Sequence, residues 1–117
     1  MTFFSVFLGG GIGAILRFLI RSVLSTHLAT FIVNIIGSFI IGFLYIYFIE
    51  KSGLNPILKI TLTAGFCGGL TTFSTFSLEL FEMIGNHQFL NAVIYIILSI
   101  TVCITAVMIG AYCAKII

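Results

Sequence analysis

The sequence predicts an all-α membrane protein with four transmembrane helices in one domain, residues 1–117. Of its 117 residues, 61% are hydrophobic and only 7% are charged. A water-soluble domain carries about 25% charged residues. Charges and turn residues divide the chain into four apolar segments, each near the roughly 20 residues that a helix needs to cross a bilayer. Lipid offers the backbone no hydrogen-bond partners, so such segments are expected to be helical.

The first two segments are predicted at residues 3–25 and 28–49. The first carries Arg17 and Arg21, whereas the second has no charge at all. His27 lies between them and marks the predicted first connection.

The last two segments are predicted at residues 56–83 and 89–114. Before the third segment, Asn55 is a suitable N-cap and Pro56 suits the first helical position. The connection at residues 85–88 is again short. These loops leave no room for a domain outside the membrane, so the function is expected to lie within the bilayer.

Several classes of function are disfavoured by charge and composition. The net charge of +2, without a basic cluster, does not indicate a nucleic-acid partner. We expect no enzyme, because no catalytic set is present and the acidic residues all fall at segment ends: Glu50, Glu79 and Glu82. No C-x-x-C pair occurs, so buried free thiols are expected for the three cysteines, Cys67, Cys103 and Cys113.

Small residues recur at spacings that let helices approach closely in lipid. Gly9 and Gly13 are four residues apart, as are Ala106 and Gly110. This pattern indicates helix packing.

Segment three is unusual between Gly65 and Ser77, where three glycines, three threonines and two serines occur in 13 residues. Glycine and threonine are poor helix formers, and the run predicts a helix break. Broken helices in transporters expose carbonyls to cations and amides to anions. The alternative is a continuous, glycine-rich packing helix in which Ser and Thr bond to carbonyls four residues earlier. Composition alone leaves both open.

Two helix faces carry stripes of polar residues at a spacing of four: Thr30, Asn34 and Ser38 on segment two, with Tyr95, Ser99 and Cys103 on segment four. Such stripes either make interhelical hydrogen bonds or line a permeation path. Asn34 is the strongest candidate, because its amide lies in an otherwise apolar region. Two phenylalanines, Phe73 and Phe76, share one face; they either pack or direct their electropositive ring edges toward an anion. Arg17 either snorkels to the interface or attracts anions in a vestibule.

Three runs resemble motifs of the Fluc (CrcB) family of fluoride channels. They extend from Gly10 to Arg17, from Thr30 to Phe39 and from Gly65 to Phe76, in the family's order. The resemblance implies passive fluoride export through a bacterial plasma membrane. It also implies an antiparallel dimer with two fluoride pathways and a central structural Na⁺ held by the carbonyls of Gly68 and Thr71.

The same resemblance assigns roles to polar and aromatic residues. Asn34 is expected to donate a hydrogen bond to fluoride, and Phe73 and Phe76 to present ring edges to it. The remaining pathway residues implied by the family are Tyr95 and Ser99, with Ser74 and Thr75 nearby. Cys103 stands where the family often has a small hydroxyl residue.

Two other classes of function remain open. One is a small dual-topology multidrug or cation exporter, which needs a carboxylate inside the membrane; Glu79, near the end of segment three, suits that role poorly. The other is an assembly subunit without transport activity. Fluoride, chloride and cationic-dye flux would separate the three.

The distribution of basic residues predicts insertion in both orientations. Four spans place both termini on one side, together with Lys51, Lys59 and Lys115, whereas Arg21, with Arg17 if it snorkels the same way, belongs to the other side. Lys/Arg bias sets orientation, and a difference of one is small. The predicted partner is therefore an inverted second copy of the chain. The alternative is a paralogous subunit of fixed, opposite orientation.

Overall fold

The computed structural model describes residues 1–50 and 53–117, and its described elements are all helical. They are α1 (Thr2–Val23), α2 (Thr26–Glu50), α3 (Pro56–Ile60), a π-helical segment (Thr61–Cys67), α4 (Gly68–Leu70), α5 (Phe73–Gly85) and α6 (Phe89–Lys115). Four helical stretches are long and apolar enough to span a bilayer, with Pro56–Gly85 as the third. The prediction of four such helices is confirmed.

The helix ends lie within two residues of the predicted ones. The first connection was predicted at His27, and this is wrong: α1 ends at Val23, and His27 lies in the first turn of α2. Leu24 is extended, which ends α1 earlier than hydrophobicity alone indicates. The Asn55 cap is confirmed, since its side chain accepts a hydrogen bond from the Ile57 amide at 2.9 Å. Lys51, counted in the charge tally, lies outside the described residues.

Helices α2 and α6 pack closely along uninterrupted α-helical stretches. Gly42 lies against the backbone of Val107, and Gly110 lies against the backbone of Phe39. A Cβ at either glycine would overlap a carbonyl oxygen of the opposite helix. The expected small-residue packing at Gly110 is confirmed.

Helix α1 packs in the same way against the third span. A Cβ at Gly9 would overlap the Thr61 carbonyl, and one at Gly13 would overlap the Phe66 carbonyl. On the other side of this contact, a Cβ at Gly69 would overlap the carbonyl of Gly10. The two backbones therefore touch at several successive turns.

The third span changes its backbone twice. It turns from α3 into the π-helical segment at Thr61, returns to α-helix at Gly68, and is interrupted at Thr71 and Thr72, which are both extended. The break expected between Gly65 and Ser77 is therefore present. The π-helical segment was not predicted. Back-bonding, proposed as the alternative, occurs beside the break: Thr71 Oγ1 donates to the Cys67 carbonyl at 2.9 Å.

Candidate functional site: a cavity at the helix break

Asn34 satisfies the peptide groups that the interruption leaves without helical partners. Thr72 has φ −150° and ψ 121°. Its amide donates to Asn34 Oδ1 at 2.8 Å, and its carbonyl accepts from Asn34 Nδ2 at 3.2 Å. The side-chain amide thus pairs with Thr72 as a neighbouring strand would. One N–H of Asn34 remains available after this pairing.

The side chain of Thr72 begins the next helix. Its Oγ1 accepts a hydrogen bond from the Thr75 amide at 3.2 Å and donates to Thr75 Oγ1 at 3.0 Å. The Ser74 hydroxyl lies 3.3 Å from the same oxygen. This is an N-cap, a role for which threonine is well suited. Ser74 and Thr75, both predicted near the pathway, are therefore part of the cap of α5.

The break also leaves two carbonyls, those of Gly68 and Thr71, without their helical donors. In a continuous helix the Gly68 carbonyl would accept from the Thr72 amide, which here donates to a side chain. The Thr71 carbonyl loses its helical donor in the same way, because the Thr75 amide donates instead to Thr72 Oγ1, the cap of α5. It accepts instead from Arg17 Nη1 at 2.8 Å. A positive charge is thereby fixed beside the break.

Arg17 is half-buried, and its guanidinium is directed at the break. The sequence allows two interpretations of Arg17, snorkelling to the interface or an inward-facing charge. The bond to the Thr71 carbonyl favours the inward-facing charge. Charged groups in membrane spans face the protein interior or a water-filled cavity.

The break opens into a cavity of about 720 Å³ between α2, the third span and α6. Its wall contains polar groups from all three: Asn34, Ser38, Thr63, Gly68, Thr71, Thr72, Ser99 and Cys103. Apolar and aromatic residues complete it: Gly37, Ile41, Ala64, Cys67, Phe73, Phe76, Ile100 and Ile104. Phe73 is 79% exposed, so the cavity opens at the surface of the single chain.

The two phenylalanines have different environments within this wall. Phe76 is 7% exposed, and its ring lies edge-on to Tyr95 with 5.0 Å between centroids. The Phe73 ring is 5.8 Å from that of Phe76 but is largely exposed. Their predicted proximity is confirmed. Tyr95, predicted to line the pathway, contacts Phe76 but is not among the residues that line this cavity.

Ser99 is the one buried polar side chain that the described part of the chain leaves without a hydrogen-bond partner. It is 8% exposed, and its Oγ has no donor or acceptor within the described residues. Buried hydroxyls are normally paired, and exceptions call for an explanation. Ser99 is one of the residues that line the cavity, and its unpaired hydroxyl is buried behind that wall.

Glu79 is the site residue that the sequence analysis missed. It was placed at a segment end, yet it is 1% exposed and lies within α5. Thr30 Oγ1 donates to its Oε1 at 2.6 Å, and the Tyr95 hydroxyl donates to its Oε2 at 2.7 Å. The available signal was that both polar stripes begin with a hydroxyl donor, and a shared acceptor would satisfy both.

Four membrane-capable helices, a broken third span and a largely apolar cavity with a few polar groups at the break define a multi-pass membrane protein. The model of the family "CrcB-like protein, Camphor Resistance (CrcB)" matches residues 4–111. The chain therefore belongs to the CrcB family, as the motif resemblance predicted.

Named relatives are similar over most of their length. The chain is 45% identical over 116 residues to a protein of Gloeothece citriformis, covering 94% of each. It is 46% identical over 109 residues to one of Nitratiruptor sp., covering 88% of this chain and 84% of the relative. A Proteus mirabilis protein is 52% identical over 89 residues, 72% of each chain. All three are called "Fluoride-specific ion channel FluC".

Proposed function

We propose that this chain forms a fluoride-specific channel that exports fluoride passively across the cell membrane and so lowers its cytoplasmic concentration. The observation that carries the proposal is the cavity at the break, whose wall contains Ser99, with its unpaired hydroxyl, and two phenylalanine rings. The names of the relatives identify the ion. Because those relatives are ion channels, we propose no enzymatic activity.

Fluoride binds water strongly, so a pathway that removes this water must supply close donors. Ser99 Oγ can donate, and Asn34 keeps one N–H after bonding Thr72. The ring edges of Phe73 and Phe76 carry partial positive charge and add weaker contacts. Several weak donors suit conduction, because binding must be favourable enough for entry and weak enough for exit.

The electrostatics of the wall favour an anion. The described residues that line the cavity include no carboxylate, and the Arg17 guanidinium bonds directly to the wall residue Thr71. A fixed positive charge raises the local concentration of anions. Arg17 therefore suits the vestibule role that the family resemblance implies.

We propose that a second, antiparallel copy of the chain closes the cavity. In a single chain embedded in lipid, the exposed side of Phe73 and the polar wall behind it would meet acyl chains. Unsatisfied polar groups in hydrocarbon are costly. An inverted copy is also what the small charge bias predicts. A paralogous subunit would serve the same purpose.

A structural Na⁺ fits one of its two proposed ligands better than the other. Gly68 is exposed, and a Cβ built on it would meet no atom within 4 Å. Its carbonyl lacks its helical hydrogen-bond donor, because the Thr72 amide donates to Asn34 instead. The Thr71 carbonyl already accepts from Arg17, so an ion there would share its ligand with a cation. Neutral carbonyls suit a monovalent ion, whose role would be to join the two copies.

The cation exporter is not favoured. Glu79, toward the end of the third span, is a buried carboxylate, as such an exporter would need. Both of its oxygens accept hydrogen bonds, from Thr30 and Tyr95. It stands behind the wall residue Phe76, so a cation in the cavity would not meet it directly.

The proposal is tested by efflux from liposomes that contain the purified protein. Vesicles loaded with potassium fluoride or potassium chloride receive valinomycin, and an ion-selective electrode records the anion released. We expect rapid fluoride release and chloride release at the level of empty vesicles. Equal rates for both anions, or transport of a cationic dye without fluoride release, would refute the proposal.

A further inference from the structure

Helix α6 places a free thiol one turn from the unpaired hydroxyl of the cavity. Ser99 and Cys103 are four residues apart and both line the cavity wall. Ser99 is 8% exposed, and its Oγ has no partner among the described residues. Cys103 is half-buried and free. A group attached to its sulfur would enter the space in front of Ser99.

We propose that Cys103 is a thiol-modification site in the conducting pathway, where disulfide-forming reagents block fluoride flow reversibly. The inference rests on the proposed function, because it places Cys103 in the path of the ion. The chemical class of the ligand is an activated disulfide or a thiosulfonate small enough to enter the cavity of about 720 Å³.

The other two cysteines provide internal controls. Cys67 also borders the cavity, but it is 2% exposed and is therefore shielded from a reagent. Cys113 is half-buried like Cys103 but lies ten residues further along α6, outside the cavity wall. Cys113 and Cys103 are similarly exposed, but only Cys103 lines the cavity. Comparing the two therefore separates the chemical labelling of a thiol from the block of fluoride flow.

The reaction needs only the thiol and the reagent. The Cys103 thiolate, which is the reacting form, attacks the sulfur of 2-sulfonatoethyl methanethiosulfonate that carries the sulfonatoethyl group. A new S–S bond forms to the sulfonatoethylthio group, and the bond to the sulfonyl group breaks. Methanesulfinate leaves with the electron pair, and the thiol proton passes to the buffer. Tris(2-carboxyethyl)phosphine reduces the mixed disulfide and restores the thiol.

The adduct should block by charge as well as by size. Four residues of helix separate its attachment point from Ser99 by about 6 Å along the axis. A sulfonate at this distance repels fluoride in a space screened poorly by solvent. A neutral S-methyl adduct, formed from methyl methanethiosulfonate, removes the charge and leaves a smaller obstruction. We therefore expect stronger block by the sulfonate than by the methylthio group.

The experiment measures fluoride efflux from proteoliposomes before and after treatment with the sulfonatoethyl reagent, together with intact-protein mass spectrometry. We expect a loss of at least tenfold, recovered after reduction, with an adduct on Cys103. Each variant is compared with its own untreated rate. Cys113→Ser and Cys67→Ser should remain sensitive, whereas Cys103→Ser should show a ratio near one.

Each result decides a separate question. No fluoride efflux from untreated protein would refute the proposed function, while mass spectrometry would still report whether Cys103 is accessible. Normal efflux with no adduct on Cys103 would overturn the inference. It would also be overturned by an adduct on Cys103 without loss of flux, or by equal block of Cys103→Ser.

Discussion

The α2–α6 pair and the contact between α1 and the third span use the same packing device and reach different outcomes. In both, glycines bring two backbones into contact, at Gly42 and Gly110 in the first and at Gly9 and Gly13 in the second. Helices α2 and α6 continue without interruption, whereas the third span becomes π-helical and then breaks. Close packing by glycine therefore does not itself break a helix.

The difference arises from hydrogen bonds supplied by side chains. Asn34 bonds both peptide groups of Thr72, and Thr72 Oγ1 caps the following helix. Where such partners are present, the backbone can leave the helix without unsatisfied groups, whose cost in an apolar interior is several kcal/mol. The break thus depends on residues from two spans, and it frees the groups that build the cavity.

The largest effect is expected from closing the space between α1 and the third span. In Gly13→Ala the new methyl group would overlap the Phe66 carbonyl and lie 2.7 Å from the Leu70 amide nitrogen. Overpacking of this kind costs about 1–3 kcal/mol, and both stability and flux should fall. Gly11→Ala, two residues earlier with nothing within 4 Å, is the control. Thermal unfolding in detergent compares the stability of the two variants. Equal melting temperatures for Gly13→Ala and Gly11→Ala would contradict the packing account.

A loss of similar size is expected when the buried carboxylate of Glu79 is removed, because two hydroxyl groups lose their acceptor together. Glu79→Ala leaves the Thr30 and Tyr95 hydroxyls without their acceptor, at about 1–3 kcal/mol for each unsatisfied group. Tyr95→Phe removes one of the two donors and should cost less. A double-mutant cycle for stability should show coupling between the two positions. Additive effects would mean that the hydrogen bond at 2.7 Å contributes little.

The two phenylalanines should separate packing from conduction. Phe76→Ile removes a buried ring and should lower stability by about 1 kcal/mol, in the range of hydrophobic swaps that change shape. Phe73→Ile alters a ring that is 79% exposed in the single chain and should leave the stability of the protomer unchanged. Both should reduce fluoride efflux several-fold, because an aliphatic side chain lacks the positive ring edge. Unchanged efflux in both would return these residues to a packing role.

The smallest structural effect is expected at Ser99, where function should change without stability. Its hydroxyl has no partner in the described part of the chain, so Ser99→Ala should leave the melting temperature within about 1 °C, as expected for a change of a few tenths of a kcal/mol. Fluoride efflux should nevertheless fall several-fold, since a donor to the ion is lost. Thr101→Ala, an exposed position on the same helix, is the matched control. A fall in stability without a change in efflux would show a structural role.

The sequence predicted the spans, the packing glycines and the approximate place of the break, because each follows from local composition. It did not predict the π-helical segment, which packs against α1. It also did not predict the burial of Glu79, because the two hydroxyls that donate to its carboxylate, Thr30 and Tyr95, belong to other helices, α2 and α6. For Asn34, the need for a partner was evident, but that partner, the backbone of Thr72, depends on the tertiary fold.

The most direct test of conduction through the cavity at the break is fluoride efflux measured side by side for the unchanged protein, Asn34→Asp and Asn91→Asp. Aspartate at position 34 keeps the size of the side chain, loses both N–H donors and adds a negative charge to the cavity wall. Asn91 is exposed on α6 and provides the same chemical change elsewhere. We predict at least a hundredfold loss for Asn34→Asp and a rate within twofold of the unchanged protein for Asn91→Asp. Undiminished efflux through folded Asn34→Asp would show that fluoride does not pass the break.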